Sequence, residues 1–383
     1  MTKALVHITP RFAPQIDGVG DYARLLANEL RQTSGVQSRF IVGEPSWEQV
    51  SKPVPAPGDF PAVAVSRRES GALEDAIGEA DAVLLHYVSY GYNSRGVPFW
   101  INQALRRWKR AASPDQPRRL VIVFHELWAS GPPWRSEFYL GPIQKHLIRE
   151  LQSLADGSLT STPNMYRRLE ALSSGKTAFA PIPSCVQPPE LGAARWHTGG
   201  PVTLVIFGQE ASRRLTVNRH AKLIVALHTA GLLKELRVAG KGCVGGDHPS
   251  ADVAELRKIL PPASISTYRD LAPEALAAVL AGSDFFLSYY PSAFLCKSSA
   301  LTAAMACGCL PVLPEADEAQ PLVPGRDVLG CDGSVEAVSG IVALIQTGQV
   351  GRLGQAARAW YDASASWRLS TEAVARHLLS GRV

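Results

Sequence analysis

Short apolar runs alternate with amphipathic stretches along the first half of the chain. Runs rich in Val, Ile, Leu and aromatic residues are typical of strands buried in a parallel sheet. These runs are residues 4–9, 39–42, 62–65, 82–87, 120–125 and 177–180. Apolar positions at helical spacing predict helices over 22–30, 99–110 and 141–155. The alternation predicts an α/β fold, a parallel sheet with helices on both faces.

A segment rich in proline and glycine, residues 181–201, interrupts this pattern. Beyond it the alternation resumes. Strands are predicted over 202–208, 236–242 and 264–270, and helices near 217–231 and over 271–283. With 383 residues, two domains are the better expectation. The predicted boundaries are an N-terminal domain 1–185, a linker 186–200, a C-terminal domain 201–360 and a terminal helix in 361–383.

The charge of the chain is mildly basic, with a formal net charge of +5. The basic residues are dispersed rather than clustered, so the excess is typical of a solvated surface and is weak support for nucleic acid. It is compatible with an acidic small molecule or an anionic membrane surface. We therefore expect no nucleic-acid partner.

The six cysteines indicate buried thiols rather than a disulfide frame or a zinc site. None of them forms a Cys-x-x-Cys pair, and several lie in apolar surroundings. The N-terminus lacks the apolar core of a signal peptide, and no run reaches the roughly 18 to 20 apolar residues of a membrane span. We expect a cytoplasmic protein, with peripheral association at the inner membrane face left open.

The most informative stretch is 284–313, which predicts strand, loop, helix and strand in succession. Lys297, Ser298 and Ser299 open the helix. A helix N-terminus carries partial positive charge and N–H groups without helical partners, so a lysine and two hydroxyls there favour phosphate binding. The alternative is a solvated lysine beside an ordinary helix cap.

A second glycine-containing loop, Gly18-Val19-Gly20, follows the first predicted strand. Glycines let a backbone pass close to a ligand, and the helix predicted to begin near Asp21 would offer its N–H groups to a phosphate. The alternative is a tight turn between strand and helix with no ligand.

Two further candidate groups follow strands of the first half. His125 and Glu126 end the strand at 120–125 and are our candidate catalytic residues, although a histidine at a strand end is often structural. Tyr90, Tyr92 and Trp134 lie in loops where ligands of α/β proteins bind. Aromatic side chains in these loops are suited to stacking on sugar or lipid. The alternative is a loop packed by its own aromatic side chains.

Five segments resemble family-4-type glycosyltransferases of the GT-B fold. They are the glycine loop in 10–30, His125-Glu126, the loop 207–220, the segment 267–276 and Ala-Met-Ala-Cys-Gly at 304–308. The resemblance implies two Rossmann-like, doubly wound parallel-sheet domains facing each other across a cleft, with a terminal helix crossing back to the first domain.

The resemblance also implies roles for individual residues. His125 would approach the transferred sugar, and Tyr90, Tyr92 and Trp134 would lie on the acceptor side. The donor diphosphate would lie between the first glycine loop and the basic residues of the second half. Nucleobase contacts would come from Tyr268 and Leu271. The remaining donor-site residues implied are Gly208, Arg213, Arg214, Arg219, Lys297, Ser298 and Ser299.

The chain departs from the family pattern at the positions of the family's two glutamates. Alignment on residues 304–308 places Leu295 and Ala303 there. Asp17 stands where many relatives carry a glycine, and Gln209 takes the position of a donor-binding arginine. The sugar and ribose contacts must therefore come from other residues, or the donor differs.

Three functional interpretations follow. The first is a glycosyltransferase that moves a sugar from a nucleotide-diphosphate sugar to a glycan or lipid-linked acceptor in bacterial polysaccharide or cell-envelope synthesis. UDP is the expected nucleotide because it is the commonest one in such donors, and no residue of the chain indicates it. It would be retaining, with no cofactor and no metal. The second is a non-catalytic GT-B module that binds nucleotide or glycan, favoured by the missing glutamates. The third is a nucleotide-sugar epimerase, which needs acid–base groups around the donor.

Overall fold

The computed structural model describes residues 5–15, 17–47, 60–114, 116–190, 192, 196–316 and 320–379. The chain divides into two compact units. Residues 1–180 and 367–383 form the first unit, and residues 181–366 form the second. The segment 186–200, predicted as a linker, therefore falls within the stretch assigned to the second unit.

Each unit contains one parallel sheet, and this confirms the predicted α/β fold of two doubly wound domains. The strands are β1 Leu5–Thr9, β2 Ser38–Val42, β3 Ala62–Ala64, β4 Ala82–Tyr87, β5 Arg119–Phe124, β6 Gly157–Thr160, β7 Thr177–Phe179, β8 Val202–Phe207, β9 Leu233–Gly240, β10 Ile265–Arg269, β11 Phe285–Leu287, β12 Leu310–Leu313 and β13 Leu329–Gly330. The first seven form one sheet and the last six form the other.

Helices connect nearly all the strands. They are α1 Gly18–Ser34, α2 Ser70–Ile77, α3 Ser89–Tyr92, α4 Phe99–Arg110, α5 Ser136–Leu154, α6 Pro163–Glu170, α7 Glu210–Thr229, α8 Ala251–Leu256, α9 Pro273–Ala281, α10 Ser299–Ala306, α11 Val335–Gln346, α12 Val350–Ser364 and α13 Trp367–Leu379. The strand predicted at 82–87 and the helix predicted at 99–110 match their elements residue for residue.

The strand order defines a switch point in each sheet. The first sheet has the order β3-β2-β1-β4-β5-β6-β7, so successive strands run one way from β1 and the other way from β4. The second has the order β10-β9-β8-β11-β12-β13, which reverses between β8 and β11. In doubly wound sheets, ligands bind beyond the carboxyl ends of the strands at such a reversal.

The strands at both switch points are buried, as their apolar composition requires. Every residue of β1, β11 and β12 is buried, and β8 is buried except at Phe207. Helices cover both faces of such strands, and this burial is the main source of their stability.

The helix that follows the second unit in sequence packs onto the first unit. α13 contacts α1, and the rings of Tyr22 and Trp367 lie 5.3 Å apart. A Cβ atom at Gly157 in β6 would collide with the ring of His377, so the glycine permits this close approach. The terminal helix was predicted over 361–383, but residues up to Ser364 belong to α12, and α13 begins at Trp367.

Candidate functional site

A cavity of about 400 Å³ opens at the switch point of the second sheet. Its floor is formed by the carboxyl ends of the neighbouring strands β8 and β11, which pair in parallel at Phe285 and Leu204. The cavity is lined by Phe207, Gly208, Gln209, Ser212, Thr216, Phe286, Leu287, Ser288, Tyr289, Tyr290, Lys297, Ser298, Ser299 and Ala300. Hydroxyl groups and one lysine supply most of the polar lining.

One wall of the cavity is the N-terminal end of α7. Gly208 has a φ of 146°, a conformation that a side chain would strain, and it turns the chain from β8 into the helix. Gln209 is the N-cap and makes no side-chain capping hydrogen bond. The first turns of α7 direct Ser212 and Thr216 to the cavity. The wall therefore combines a helix N-terminus with two hydroxyl groups, a combination suited to an anion.

The opposite wall is the start of α10. A 3₁₀ turn at Ser292–Lys297 leads into the helix, and Lys297, Ser298 and Ser299 line the cavity. Ser298 is the N-cap, and its hydroxyl accepts a hydrogen bond of 3.2 Å from the Leu301 N–H. The structure therefore brings Gly208 and the Lys297–Ser299 segment together at one cavity. It assigns Ser298 a capping contact as well.

Two tyrosines at the cavity were not identified from the sequence. Tyr289 and Tyr290 follow β11 directly, and their rings lie 4.7 Å apart. His220 of α7 is within 2.8 Å of the Ser288 carbonyl oxygen, to which its Nε2–H donates, and this contact fixes the end of the strand. Tyr289 and Tyr290 come directly after a buried strand, and this position could have identified both tyrosines from the sequence.

The sequence leaves open which of the three arginines of 207–220 contacts the donor phosphates, and the structure excludes Arg213. Its side chain is completely buried and forms an ion pair with Asp252, with Nε donating over 2.6 Å to the carboxylate. Nη1 donates over 2.6 Å to the carbonyl oxygen of Gly208. Because the N–H groups of this guanidinium already donate to a carboxylate and a carbonyl, Arg213 stabilises the loop and does not bind a ligand.

The other two arginines lie on the solvent side of α7. Arg214 forms an ion pair of 2.8 Å with Glu255, and 57% of its side chain is exposed. Arg219 is exposed further along the helix. Neither belongs to the cavity lining, which on this helix consists of Ser212 and Thr216. The helix was predicted to begin near 217, so its inward face was not identified.

The residues expected to hold the nucleobase lie away from the cavity. Tyr268 is on β10, which is separated from β8 by β9. Tyr268 and Leu271 are partly buried and pack against the core of the second unit. Their predicted contact with a base thus has no geometric support from this unit.

The two positions that align with the family's glutamates are part of the hydrophobic core. Leu295 and Ala303 are both fully buried among apolar side chains. A carboxylate at either position would lose its hydration, at a cost of several kcal/mol. The hydrophobic packing of the second unit therefore favours apolar residues, and not carboxylates, at these two positions.

The glycine loop of the first unit differs from the prediction. α1 begins at Gly18, and the Asp17 carboxylate accepts a hydrogen bond of 2.8 Å from the Gly20 N–H. A Cβ atom at Gly20 would lie 2.5 Å from the Arg11 carbonyl oxygen. Gly20 is therefore required by contact with the chain's own backbone, and a carboxylate of the chain already occupies this helix N-terminus.

His125 is buried at the end of β5 and belongs to a cluster of aromatic and imidazole rings. Its Nε2 lies 3.4 Å from Nδ1 of His86, and the Tyr22 ring meets it edge-on at 5.1 Å. Glu126 is partly buried. Burial raises the pKa of Tyr87, and the negative charge of Glu126 adds to this shift. His86 was not identified as a site residue.

The three aromatic residues predicted on the acceptor side have different environments. Trp134 is 83% exposed, and Tyr90 is 43% exposed with its hydroxyl accepting from Gln144 over 3.2 Å. Tyr92 is fully buried, and its hydroxyl lies within 3.1 Å of the Ile8 carbonyl oxygen and 2.9 Å of that of His86. The prediction for Tyr92 is wrong, because this residue ties β1 to β4.

Among the described residues, no cluster of three or more His, Cys, Asp or Glu side chains could hold a metal ion. No helix in the described part of the chain is long and apolar enough to cross a membrane. All six cysteines are free thiols; Cys185 is partly buried and the others are buried, as predicted.

The fold is that of GT-B proteins, with two parallel-sheet α/β units. The chain is similar over its length to several solved structures. WaaG, a glycosyltransferase involved in lipopolysaccharide biosynthesis, gives a TM-score of 0.60 at 14% identity, covering 98% of this chain and 100% of that one. The lipopolysaccharide outer core galactosyltransferase WaaB gives 0.58 at 13% identity, covering 98% and 99%.

A third structure is an alpha-glucosyltransferase in complex with UDP and a 13-mer DNA. It gives a TM-score of 0.58 at 11% identity, covering 98% of this chain and 100% of that one. At these identities the likeness shows the fold alone. No protein-family profile matches the chain. No curated protein matches it in sequence.

Proposed function

We propose that the protein is a glycosyltransferase that moves a sugar from a nucleotide-diphosphate sugar, a UDP-sugar in the first instance, to a glycan or lipid-linked acceptor. The observation that carries the proposal is the cavity at the β8–β11 switch point, with Lys297 on one wall and the N-terminus of α7 on the other. The fold of the two lipopolysaccharide glycosyltransferases supports it.

The cavity suits the chemistry of a leaving diphosphate. Negative charge develops on the diphosphate as the bond to the sugar breaks, and fixed positive charge and N–H dipoles stabilise it. Lys297 supplies a full charge, and α7 supplies its unpaired N-terminal groups. This arrangement does not require a metal ion, and we propose metal-independent transfer with retention of configuration.

The sugar and ribose contacts are proposed to come from hydroxyl groups. Because Leu295 and Ala303 lie in the core, the family's carboxylates have no counterpart there. Ser212, Thr216 and Tyr289 line the same cavity and offer donors and acceptors for sugar hydroxyls. They would replace the carboxylates in function, at positions on different elements.

The first unit is proposed to serve the sugar and the acceptor. His125 would orient the transferred sugar, with Glu126 as its neighbour. Trp134 and Tyr90 are exposed aromatic residues suited to stacking on a glycan or on the surface of a lipid carrier. Such an acceptor fits synthesis of bacterial polysaccharide or cell envelope by a cytoplasmic protein that binds the inner membrane face.

The experiment that tests the donor site is calorimetry of UDP binding to the wild type and to Lys297→Ala. Loss of a charge-assisted hydrogen bond should weaken UDP binding by about 1.5–3 kcal/mol. Arg219→Ala is the matched control, because it removes an exposed cation of the same unit outside the cavity. Equal affinities of all three proteins would remove Lys297 from the site.

Turnover separates glycosyl transfer from its alternatives. Release of UDP from a UDP-sugar, measured with and without candidate acceptors, is expected for a transferase. Tight UDP binding with no turnover of any UDP-, GDP- or ADP-sugar would indicate a binding module. Conversion of the donor sugar without acceptor would indicate an epimerase.

A further inference from the structure

Three buried histidines form a hydrogen-bonded chain across the switch point of the first sheet. His7 lies on β1, His86 on the neighbouring strand β4, and His125 directly after β5. Nδ1 of His7 is 3.2 Å from Nε2 of His86, and Nδ1 of His86 is 3.4 Å from Nε2 of His125. At the other end, Nε2 of His7 is 3.2 Å from the Ser38 hydroxyl.

The inner two rings are neutral. Burial lowers the pKa of His7 to about 3. Burial also lowers the pKa of His86 well below its usual value, and the neighbouring imidazoles of His7 and His125 add to the shift. Each of these rings therefore carries one proton on one of its two nitrogens.

This geometry couples the tautomers. His7 and His86 use both ring nitrogens within the chain, so each must donate from one nitrogen and accept at the other. Only two arrangements satisfy every contact between neutral rings. Either all three histidines carry the proton on Nδ1, or all three carry it on Nε2.

Ser38 decides between the two arrangements. Within the described part of the chain, His7 is the hydrogen-bond partner of the Ser38 hydroxyl, which is buried in β2. When Ser38 donates to Nε2 of His7, the hydroxyl proton is satisfied. When Nε2–H of His7 donates instead, that hydroxyl proton is left buried without an acceptor, which costs about 1–3 kcal/mol.

We propose that Ser38, His7 and His86 hold His125 in the Nδ1–H tautomer, so that Nδ1 is a donor and Nε2 accepts from His86. The surrounding rings keep the imidazoles in register. His7 stacks on Phe40 at 4.7 Å, and the Tyr22 ring meets His86 edge-on at 5.9 Å.

His7 and His86 are positioning residues in this arrangement. A donor at a fixed place suits a hydroxyl or carbonyl oxygen of a sugar, whereas the other tautomer would offer that oxygen a lone pair. This consequence for turnover rests on the proposed function, but the tautomer itself does not. The two are therefore tested by separate measurements.

The tautomer is measured by nuclear magnetic resonance of protein labelled with ¹⁵N-histidine, in which protonated and unprotonated ring nitrogens differ in chemical shift. At neutral pH the expected result is three neutral Nδ1–H rings for His7, His86 and His125. A neutral Nε2–H form of His125, or a charged ring at any of the three histidines, overturns the proposal.

Two substitutions of the middle ring give the second test. His86→Phe removes the donor to His125, whereas His86→Asn places an amide nitrogen the same number of bonds from Cα as Nδ1. His125 should become a tautomer mixture in His86→Phe and remain Nδ1–H in His86→Asn. UDP release from the donor should fall roughly tenfold in the first variant and recover largely in the second.

The outcomes separate positioning from mere packing. If both variants lose turnover equally while the His125 tautomer is unchanged, the positioning role is wrong. If His86→Phe fails to fold, the wild-type tautomers and His86→Asn still decide the proposal. If no donor turns over but three Nδ1–H rings are observed, the glycosyltransferase assignment fails and the tautomer chain stands.

Discussion

The two switch points of the molecule occupy the same place in their sheets but are built differently. In the second sheet, the reversal between β8 and β11 opens into a cavity, and the N-cap of α7 makes no side-chain capping bond. In the first sheet, Asp17 caps α1 and Tyr92 fills the space between β1 and β4. The first site is occupied by the chain's own side chains, and the second is not.

The difference shows that a switch point is a place where a ligand can bind, not a guarantee that one does. A helix N-terminus attracts negative charge whatever its source. At α1 a carboxylate of the preceding residue supplies that charge. At α7 the corresponding space is a cavity lined by hydroxyl groups and by Lys297.

The largest expected effect comes from breaking the support of the second site. Arg213→Met leaves the Asp252 carboxylate buried without its partner, so we expect the free energy of unfolding to fall by about 3–5 kcal/mol. Urea unfolding measures the loss. Arg213→Met combined with Asp252→Leu should recover most of it, and Arg219→Met should change little. If Arg213→Met instead changes the free energy of unfolding only slightly and greatly weakens UDP binding, Arg213 binds the phosphates after all.

A smaller loss of stability is expected when the pH is lowered, through His7 at the switch point of the first sheet. The folded-state pKa of His7, about 3, lies below its unfolded value of 6.5, so the native state binds fewer protons. Its contribution to stability is present above pH 6.5 and is lost as the pH falls, by about 1.4 kcal/mol per pH unit.

The measurement is urea unfolding between pH 7 and pH 5 for the wild type and His7→Phe. The free energy of unfolding should depend less steeply on pH in the variant, by about 1.4 kcal/mol per pH unit, which is the contribution of one bound proton. His86 and His125 remain in both proteins, and burial, which is the largest cause of the lowered pKa of His86, is unchanged by the loss of His7. Equal slopes would show that His7 is protonated in the folded state.

The smallest effect is expected at the cap of α1. Asp17→Ala removes a capping carboxylate and should destabilise the protein by about 1 kcal/mol. Asp17→Asn is the control that keeps the capping oxygen. UDP affinity should be the same in both variants, because the proposed nucleotide site is in the second unit. Tighter UDP binding in Asp17→Ala would instead mean that Asp17 competes with phosphate for α1.

Periodicity was sufficient for the fold because both sheets consist of apolar strands between amphipathic helices. Elements whose residues are small or polar were missed, such as β6, which contains Gly157, Ser158 and Thr160. The boundary of α13 was misplaced because α12 and α13 are nearly continuous in sequence. Their separation depends on which unit each helix packs against.

The predicted residues that line the cavity are those whose positions the backbone dictates, whereas roles that depend on distant partners were missed. Lys297 and Gly208 follow from the turns between strand and helix. The role of Arg213 depends on Asp252, which lies on a helix elsewhere in the sequence, and no local pattern reveals such a pair. The histidine chain could have been noticed, since His7 and His86 each interrupt an otherwise apolar strand.

The packing of α13 on α1 has a consequence for synthesis at the ribosome. The first unit is discontinuous: its sheet is translated before the second unit, but the helix that covers α1 is translated after it. Until Trp367 emerges, Tyr22 lacks one of the three rings that it meets in the finished fold. Domains generally fold as units during translation, N-terminal first. In this protein the unit that begins first is completed last, after the second unit has had time to fold.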